Sequence, residues 1–326
     1  MKPSIPPLSK RRRLLQAGAL LAALPALARA QAQPGTRTVR IGYQKSSTLL
    51  TIIKARGTLE KLLGAGGTKV SWHEFSSGLP LLEALNVGGV DISADVADTV
   101  PVFAQAAGAR LTYLAQESPS PSAQAIVVRA DSPVRTVRDL KTRKVAVTKA
   151  AGVHYLLIAT LEQAGLKFSD IDPAYLSPAD ARAAFERGSV DAWVTWDPFL
   201  AGVQRQSHVR ILSDGRGVAD YQRYYLASTS FADANPELLR VVFDQLQATG
   251  QWVKQNAKEA ATFLSPLWGL DADTIELANG RRSYEVRAVK KEALGEQQKI
   301  ADAFFNAGLL PRKVATADVA IWQPGK

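Results

Sequence analysis

The sequence predicts an α/β fold in two units, with mainly parallel sheets flanked by helices and a helical C-terminal third. Three observations carry this. Short β-rich apolar runs alternate with helical patterns from Thr38 to about Val128, as parallel strands joined by covering helices require. The alternation restarts after Asp131, and from Asn235 onward nearly everything reads as helix. No repeat period of about 20–50 residues interrupts this plan.

The elements follow in order. TVRIGYQ is the first strand, and helical pattern runs from about Leu49 to Leu63, where Gly64-Ala65-Gly66-Gly67 ends it. KVSWHEF alternates as a strand does, and SSG turns into the helix PLLEALNVG, whose Pro80 stands in a tolerated first turn. VDISADVA is a strand, a helix spans about Pro101 to Ala107, and RLTYLAQ and AQAIVVRA are further strands. After a short helix that Thr136 can cap comes KVAVTKAAGVHYLLIATLEQAGL. Its VAV strand breaks into a turn of small residues, and a helix runs from about Val153 to Ala164. Asp172 to Leu176 is a strand, and Ser177 as cap, Pro178 at the first position and Gly188 at the end define the next helix. SVDAWVTWDP, VRILSDGRG and RYYLASTSF complete the strands. Two units joined by crossings near Val128 and Tyr224 give one lobe of residues 38–128 and 224–326 and another of 129–223.

The first thirty residues stand apart. Lys10-Arg11-Arg12-Arg13 precedes the uncharged run Leu14 to Leu27, and Ala28-Arg29-Ala30 supplies a small-residue cleavage signal. This is the plan of a secretory signal peptide, here 1–30, followed by a polar linker, 31–37. KRRRLLQ also resembles a twin-arginine signal, with Lys10 where Ser or Thr is preferred. The expected address is the periplasm. The apolar run is short of the roughly 20 residues that span a membrane.

The segment holds six of the 40 basic residues and no acid, so the remaining chain carries 34 Lys and Arg against 30 Asp and Glu, a net +4. No block of like charge and no basic stripe with aromatics remains, which argues against a nucleic-acid partner. With no Cys in the chain, thiol nucleophiles, thiolate metal sites and iron–sulfur clusters are excluded. His73, His154 and His208 are the only imidazoles and are widely spaced, so neither metal nor cofactor is expected. Without disulfides the chain needs a large core, and the 296 residues beyond the leader suffice for one.

Open α/β sheets bind ligands at the C-terminal edges of their strands. Five segments fall there: Tyr43 to Ser47, Ser76-Ser77-Gly78, Ala94 to Asp98, Lys149 to Tyr155, and Trp196-Asp197. The fourth poses a question. A helix start normally carries Ser, Thr, Asp or Asn to satisfy its free amides, yet Lys149-Ala150-Ala151-Gly152 offers no such side chain. Water can satisfy these donors, as can an anion from outside the chain.

RIGYQKS, KVSWHEFSSGLPLLEALNVGGVDI, PVFAQAAGA, SPADARAAFERGSVDAWVTWDP and GLLPRKV followed by IWQP resemble the aliphatic-sulfonate-binding proteins of bacterial ABC importers, with taurine-binding proteins as near relatives. The resemblance runs from about Thr38 to Pro324. It implies a type II-like, two-lobe periplasmic binding protein that captures a small organic anion, an aliphatic sulfonate or relative. It implies no catalysis, a monomeric state, and an inner-membrane permease as partner. Carried over by motif, the ligand residues are Gln44, Ser76, Ser77, Gly78, Asp98, Ala151, Gly152, Val153, His154, Trp196 and Asp197. The chain departs from the pattern where Ala150, Ala151 and Val153 replace hydroxyls and Ala97-Asp98 replaces Gly-Asp. Each of these residues has a bland reading too. The Ser residues suit turns, Trp196 suits packing, and His154 suits a structural place because nothing nearby in sequence would make it a base. The competing functions are a thiamine-pyrimidine-synthase-like enzyme on the same fold, which would depend on Cys and clustered His, and a periplasmic ligand sensor.

Overall fold

The computed structural model describes residues 37–325; the expected signal peptide and all of the linker except Arg37 lie outside them. Chain order begins β1 (Arg37–Gln44), α1 (Thr48–Arg56), α2 (Thr58–Gly64), β2 (Thr68–Phe75), α3 (Gly78–Asn86), β3 (Ile92–Ala97), α4 (Thr99–Ala106) and β4 (Leu111–Glu117). The single helix expected from Leu49 to Leu63 is two, because Gly57 takes φ 61°, a left-handed conformation that glycine adopts without strain. A second set follows: β5 (Gln124–Arg129), β6 (Lys144–Val147), α5 (Gly152–Gln163), β7 (Asp172–Tyr175), α6 (Pro178–Glu186), β8 (Ala192–Trp196), α7 (Phe199–Gln206) and β9 (Val209–Asp214). Ser177 caps α6 as its sequence implies, accepting from the Asp180 amide at 3.3 Å. The chain then returns through β10 (Arg223–Ser228), α8 (Thr229–Ala234), α9 (Pro236–Gln255), α10 (Ala257–Trp268), α11 (Ala272–Gly280), β11 (Val286–Arg287), α12 (Gly295–Asn306) and β12 (Ala320–Ile321).

One sheet runs β11-β4-β10-β3-β1-β2 with β12 beside β4, and the other runs β7-β6-β8-β5-β9. The sheets are mixed, which corrects the expectation of mainly parallel pairing. β1 lies parallel to β2 and β3, and β6 parallel to β7 and β8, as βα units require. β10 is antiparallel to β3 and β4, and β5 to β8 and β9. The reason lies in the crossings. β4 and β9 both end at the edge where the two sheets face each other. A strand that starts at that edge must run opposite to those that finish there. Gln124 therefore pairs with Trp196, and Arg223 with Ala97. The first crossing precedes β5, so the boundary drawn at Val128 falls inside a strand of the five-stranded sheet.

Val39, Ile41, Leu49, Ile52 and Leu246 belong to a core between the larger sheet and the C-terminal helices. A second core continues from Leu81 and Val96 to Val147, Leu157 and Trp196, joining both sheets. Phe304 of α12 packs with Val102 of α4 and Ile158 of α5. The strand edges are thus held face to face by helices from both sides.

Candidate ligand site in the cleft

All five loop segments singled out in the sequence reach one small cavity of about 20 Å³ between the sheets. Gln44 and Ser46 come from the end of β1, Gly78 from the start of α3, and Ala97 from the end of β3. Ala151 and Gly152 come from the start of α5, and Trp196 from the end of β8. Tyr221 and Arg223, from the second crossing, complete the wall. That volume holds about one water.

The start of α5 is partly satisfied by the chain itself. Ala150 takes φ 60°, and its N–H donates to His154 Nδ1 at 3.2 Å. The Ala151 N–H reaches Thr148 O at 3.3 Å. The amides of Gly152 and Val153 have no acceptor among the described residues. Gly152 lines the cavity, and Val153 follows it in the first turn of α5. Ala151, the N-cap, makes no side-chain cap bond.

His154 is fully buried against Phe168, Tyr175 and Phe304. Burial, with a lesser contribution from Lys149, pushes its pKa down to about 3. It is a neutral internal cap, away from the cavity wall. Val153 is likewise fully buried in the core. Asp98 caps α4 through the Thr99 amide at 3.0 Å and accepts from the Gln222 amide at 2.9 Å, tying β3 to the second crossing. Asp197 accepts from the Ala201 amide at 3.0 Å and from Arg281 at 3.0 and 3.1 Å. Burial pushes both carboxyls up to about 7. Ser76 is exposed and Ser77 buried, but neither borders the cavity. Gln44 is fixed by its Nε2 donating to Asp95 O at 3.0 Å. Of the eleven residues expected to meet a ligand, Gln44, Gly78, Ala151, Gly152 and Trp196 border this cavity.

Sequence reasoning missed Arg223 and Tyr221. Arg223 donates to Asp95 at 2.8 Å and to the Tyr221 hydroxyl at 3.1 Å. Asp95 also receives Arg282 at 3.0 Å, and Arg282 reaches Glu117 at 2.6 Å. With Tyr221 at its edge, the four charged side chains Arg223, Arg282, Asp95 and Glu117 form a buried, charge-balanced network. Burial pushes the Asp95 carboxyl up, against the pull of both guanidiniums. Burial acts on Glu117 in the same sense, but Arg282 and Arg223 outweigh it and hold Glu117 below the usual carboxylate range. Arg223 Nε is buried without an acceptor among the described residues. The available signal was a charge inside an aromatic strand, Tyr221-Gln222-Arg223-Tyr224-Tyr225, because a buried guanidinium needs a partner.

Residues 32–265 match the NMT1-like family. The chain is 40% identical to the periplasmic aliphatic sulphonate binding protein SsuA of Escherichia coli, whose crystal structure superposes with a TM-score of 0.79 over 88% of this chain and 98% of that one. The chain belongs to the NMT1-like family. A second such structure, the alkanesulfonate-binding protein SsuA of Xanthomonas axonopodis pv. citri bound to MOPS, is 36% identical, with a TM-score of 0.81 over 86% of this chain and 96% of that one. The fold extends beyond binding proteins. The desulfurization enzyme DSZB shares it at 17% identity and a TM-score of 0.61, covering 87% of this chain and 96% of its own. In this family member the cavity wall thus combines a helix start, an amide side chain, an indole and a guanidinium.

Proposed function

We propose that the protein is the periplasmic binding component of an ABC importer. It captures a small organic anion, an aliphatic sulfonate or relative, between two lobes and delivers it to an inner-membrane permease. It performs no chemistry on that ligand. One observation carries the reading: Arg223, whose Nε has no partner among the described residues, and Gly152 at the start of α5, whose amide is free among them, meet at the same cavity from opposite sheets. An anion there would receive donors from both halves and would favour the state in which they are together. Hydrogen bonds to a charged acceptor are worth about 1.5–3 kcal/mol each, so backbone and guanidinium donors offset the hydroxyls missing at Ala150 and Ala151.

Ligand size sets a condition. A sulfonate group exceeds a cavity of about 20 Å³, so the halves must part or Tyr221 must swing aside before one enters. The reading is supported by the relatives that carry sulfonate-binding names and by the absence of thiols for a catalytic site.

Thermal unfolding with a panel of butanesulfonate, taurine, MOPS, benzoate and sulfate tests it. At least one sulfonate should raise the Tm in a concentration-dependent way. Arg223→Gln should weaken that ligand's binding about 10- to 100-fold, the loss of one charge-assisted bond. No shift with any sulfonate, or full affinity in Arg223→Gln, would sink the reading.

A further inference from the structure

We propose a second binding site outside the cleft, for a small organic monoanion with an apolar body. It is the cavity of about 310 Å³ bounded by the end of β1, α1, β2 and the last turn of α10. That volume is at the lower end of what small-molecule sites occupy, about 300–1,000 Å³. It is also much larger than the cleft cavity.

Charge assigns the sign of the ligand. Lys45 and Lys54 line the cavity against one carboxylate, Glu74. Neither ammonium has a carboxylate partner among the described residues. Lys54 donates to the Tyr43 hydroxyl and lies 4.4 Å from the centre of the same ring. That hydroxyl donates in turn to Glu74 Oε2 at 3.1 Å. The only acid in the wall is therefore engaged through a phenol, while Lys45 remains uncompensated.

Two orphaned groups point to polar contacts. Thr51 Oγ1 and Trp268 Nε1 belong to wall residues, and each is buried without a hydrogen-bond partner among the described residues. Leaving such a group unpaired costs about 1–3 kcal/mol, so a small turn of either side chain toward a carboxylate or sulfonate in the cavity would be favoured. Leu267, 46% exposed at the rim, together with the rings of Tyr43 and Trp268, offers the surface for an apolar body. The site is independent of the cleft, although Lys45 adjoins Ser46 of the cleft wall.

The probe is 4-bromobenzoate, titrated into the full protein by calorimetry and located in crystals by bromine anomalous scattering. Expected is a bromine peak beside Trp268. Lys54→Met should weaken binding several-fold while butanesulfonate binding stays at the wild-type level, and adding Lys45→Met should bring the loss of 4-bromobenzoate affinity to at least tenfold. Arg223→Gln should leave 4-bromobenzoate affinity unchanged. Trp268→Phe, which keeps the ring and removes the donor, should weaken it several-fold. Bromine in the cleft, no binding in solution, or an affinity indifferent to both lysines would overturn the site and leave the cleft reading standing.

Discussion

A single imidazole closes part of the helix start that the sequence leaves without a cap. His154 lies one turn into α5 and returns its Nδ1 to the Ala150 amide. Sequence order allows this, but an i to i+4 return from the helix onto its own entry loop depends on Ala150 adopting φ 60°. Pattern alone gave no reason to expect a left-handed alanine. The protonation consequence is testable. His154 is held near a pKa of about 3 by burial, against an ordinary 6.5. Its neutral form therefore contributes stability that is present above pH 6.5 and lost as pH falls through 3. Asp98 and Asp197, pushed up to about 7 by burial, act oppositely: their contribution is present below about 4 and lost as pH rises through 7. Comparing one variant with the parent isolates the histidine. In urea denaturation, His154→Gln should be less stable than the parent at pH 7.5, and the gap should narrow steadily between pH 6 and 4. A constant gap would mean that the ring holds its proton equally well in the folded and unfolded chain.

Elements were legible where local chemistry is strong. The Ser177-Pro178 start and the Thr136 capping box are both present, since each rests on short-range bonds. α7 escaped notice because FLAGVQRQ has only eight residues and no side-chain bond from its N-cap, Pro198. Its start is held instead by Asp197, which the sequence suggested as a ligand group. A boundary at Val128 puts β5 with the wrong sheet because nothing in AIVVRA says which sheet it joins; that is decided by partners more than sixty residues away. Convergence of the five loops was readable because strand edges collect them wherever the strands lie in order. The second crossing was not, since its contribution comes from a strand's beginning rather than its end. α5 also yields the sharpest substitution. A Cβ on Gly152 would lie 2.4 Å from Tyr221 Cε2 and 2.9 Å from Ala97 Cβ across the cleft. Tyr221 and Ala97 are both buried, so that overlap outweighs the helix preference Ala would add at the first residue of α5. Gly152→Ala should therefore lower the unliganded Tm and also shrink the Tm increment produced by a binding sulfonate. An undiminished increment would show that Tyr221 and Ala97 leave this position when ligand binds.

At the scale of the whole molecule, the question is what keeps the two halves together around so small a cavity. Part of the contact is apolar, through Tyr221, Trp196 and the packing of α12 on α5. The polar part is concentrated where α11 meets α7. Arg281 grips both oxygens of Asp197 and donates to Gln204 at 2.5 Å. Arg205 lies 3.5 Å from Asp271 and 3.2 Å from Asp273. The two sets differ in worth. Arg205 and its acids are largely exposed, and such pairs contribute about 0–1 kcal/mol. Asp197 is nearly buried, with only 2% of its side chain exposed, so removing its guanidinium leaves a carboxyl without its cation in a site that disfavours charge. Arg281 does not line the cleft cavity, and its side chain bonds Asp197 and Gln204 instead, so it acts on closure rather than on the ligand. Arg281→Leu should speed ligand release at least several-fold in stopped-flow measurements and raise the radius of gyration of the unliganded protein in solution scattering. Adding Asp197→Asn should recover part of the loss, because the stranded carboxyl is gone. The Arg205→Leu variant serves as the control and should move neither quantity appreciably. Equal effects from Arg281→Leu and Arg205→Leu would mean that the buried ion pair does not hold the halves, and that apolar packing alone sets how long a captured anion stays.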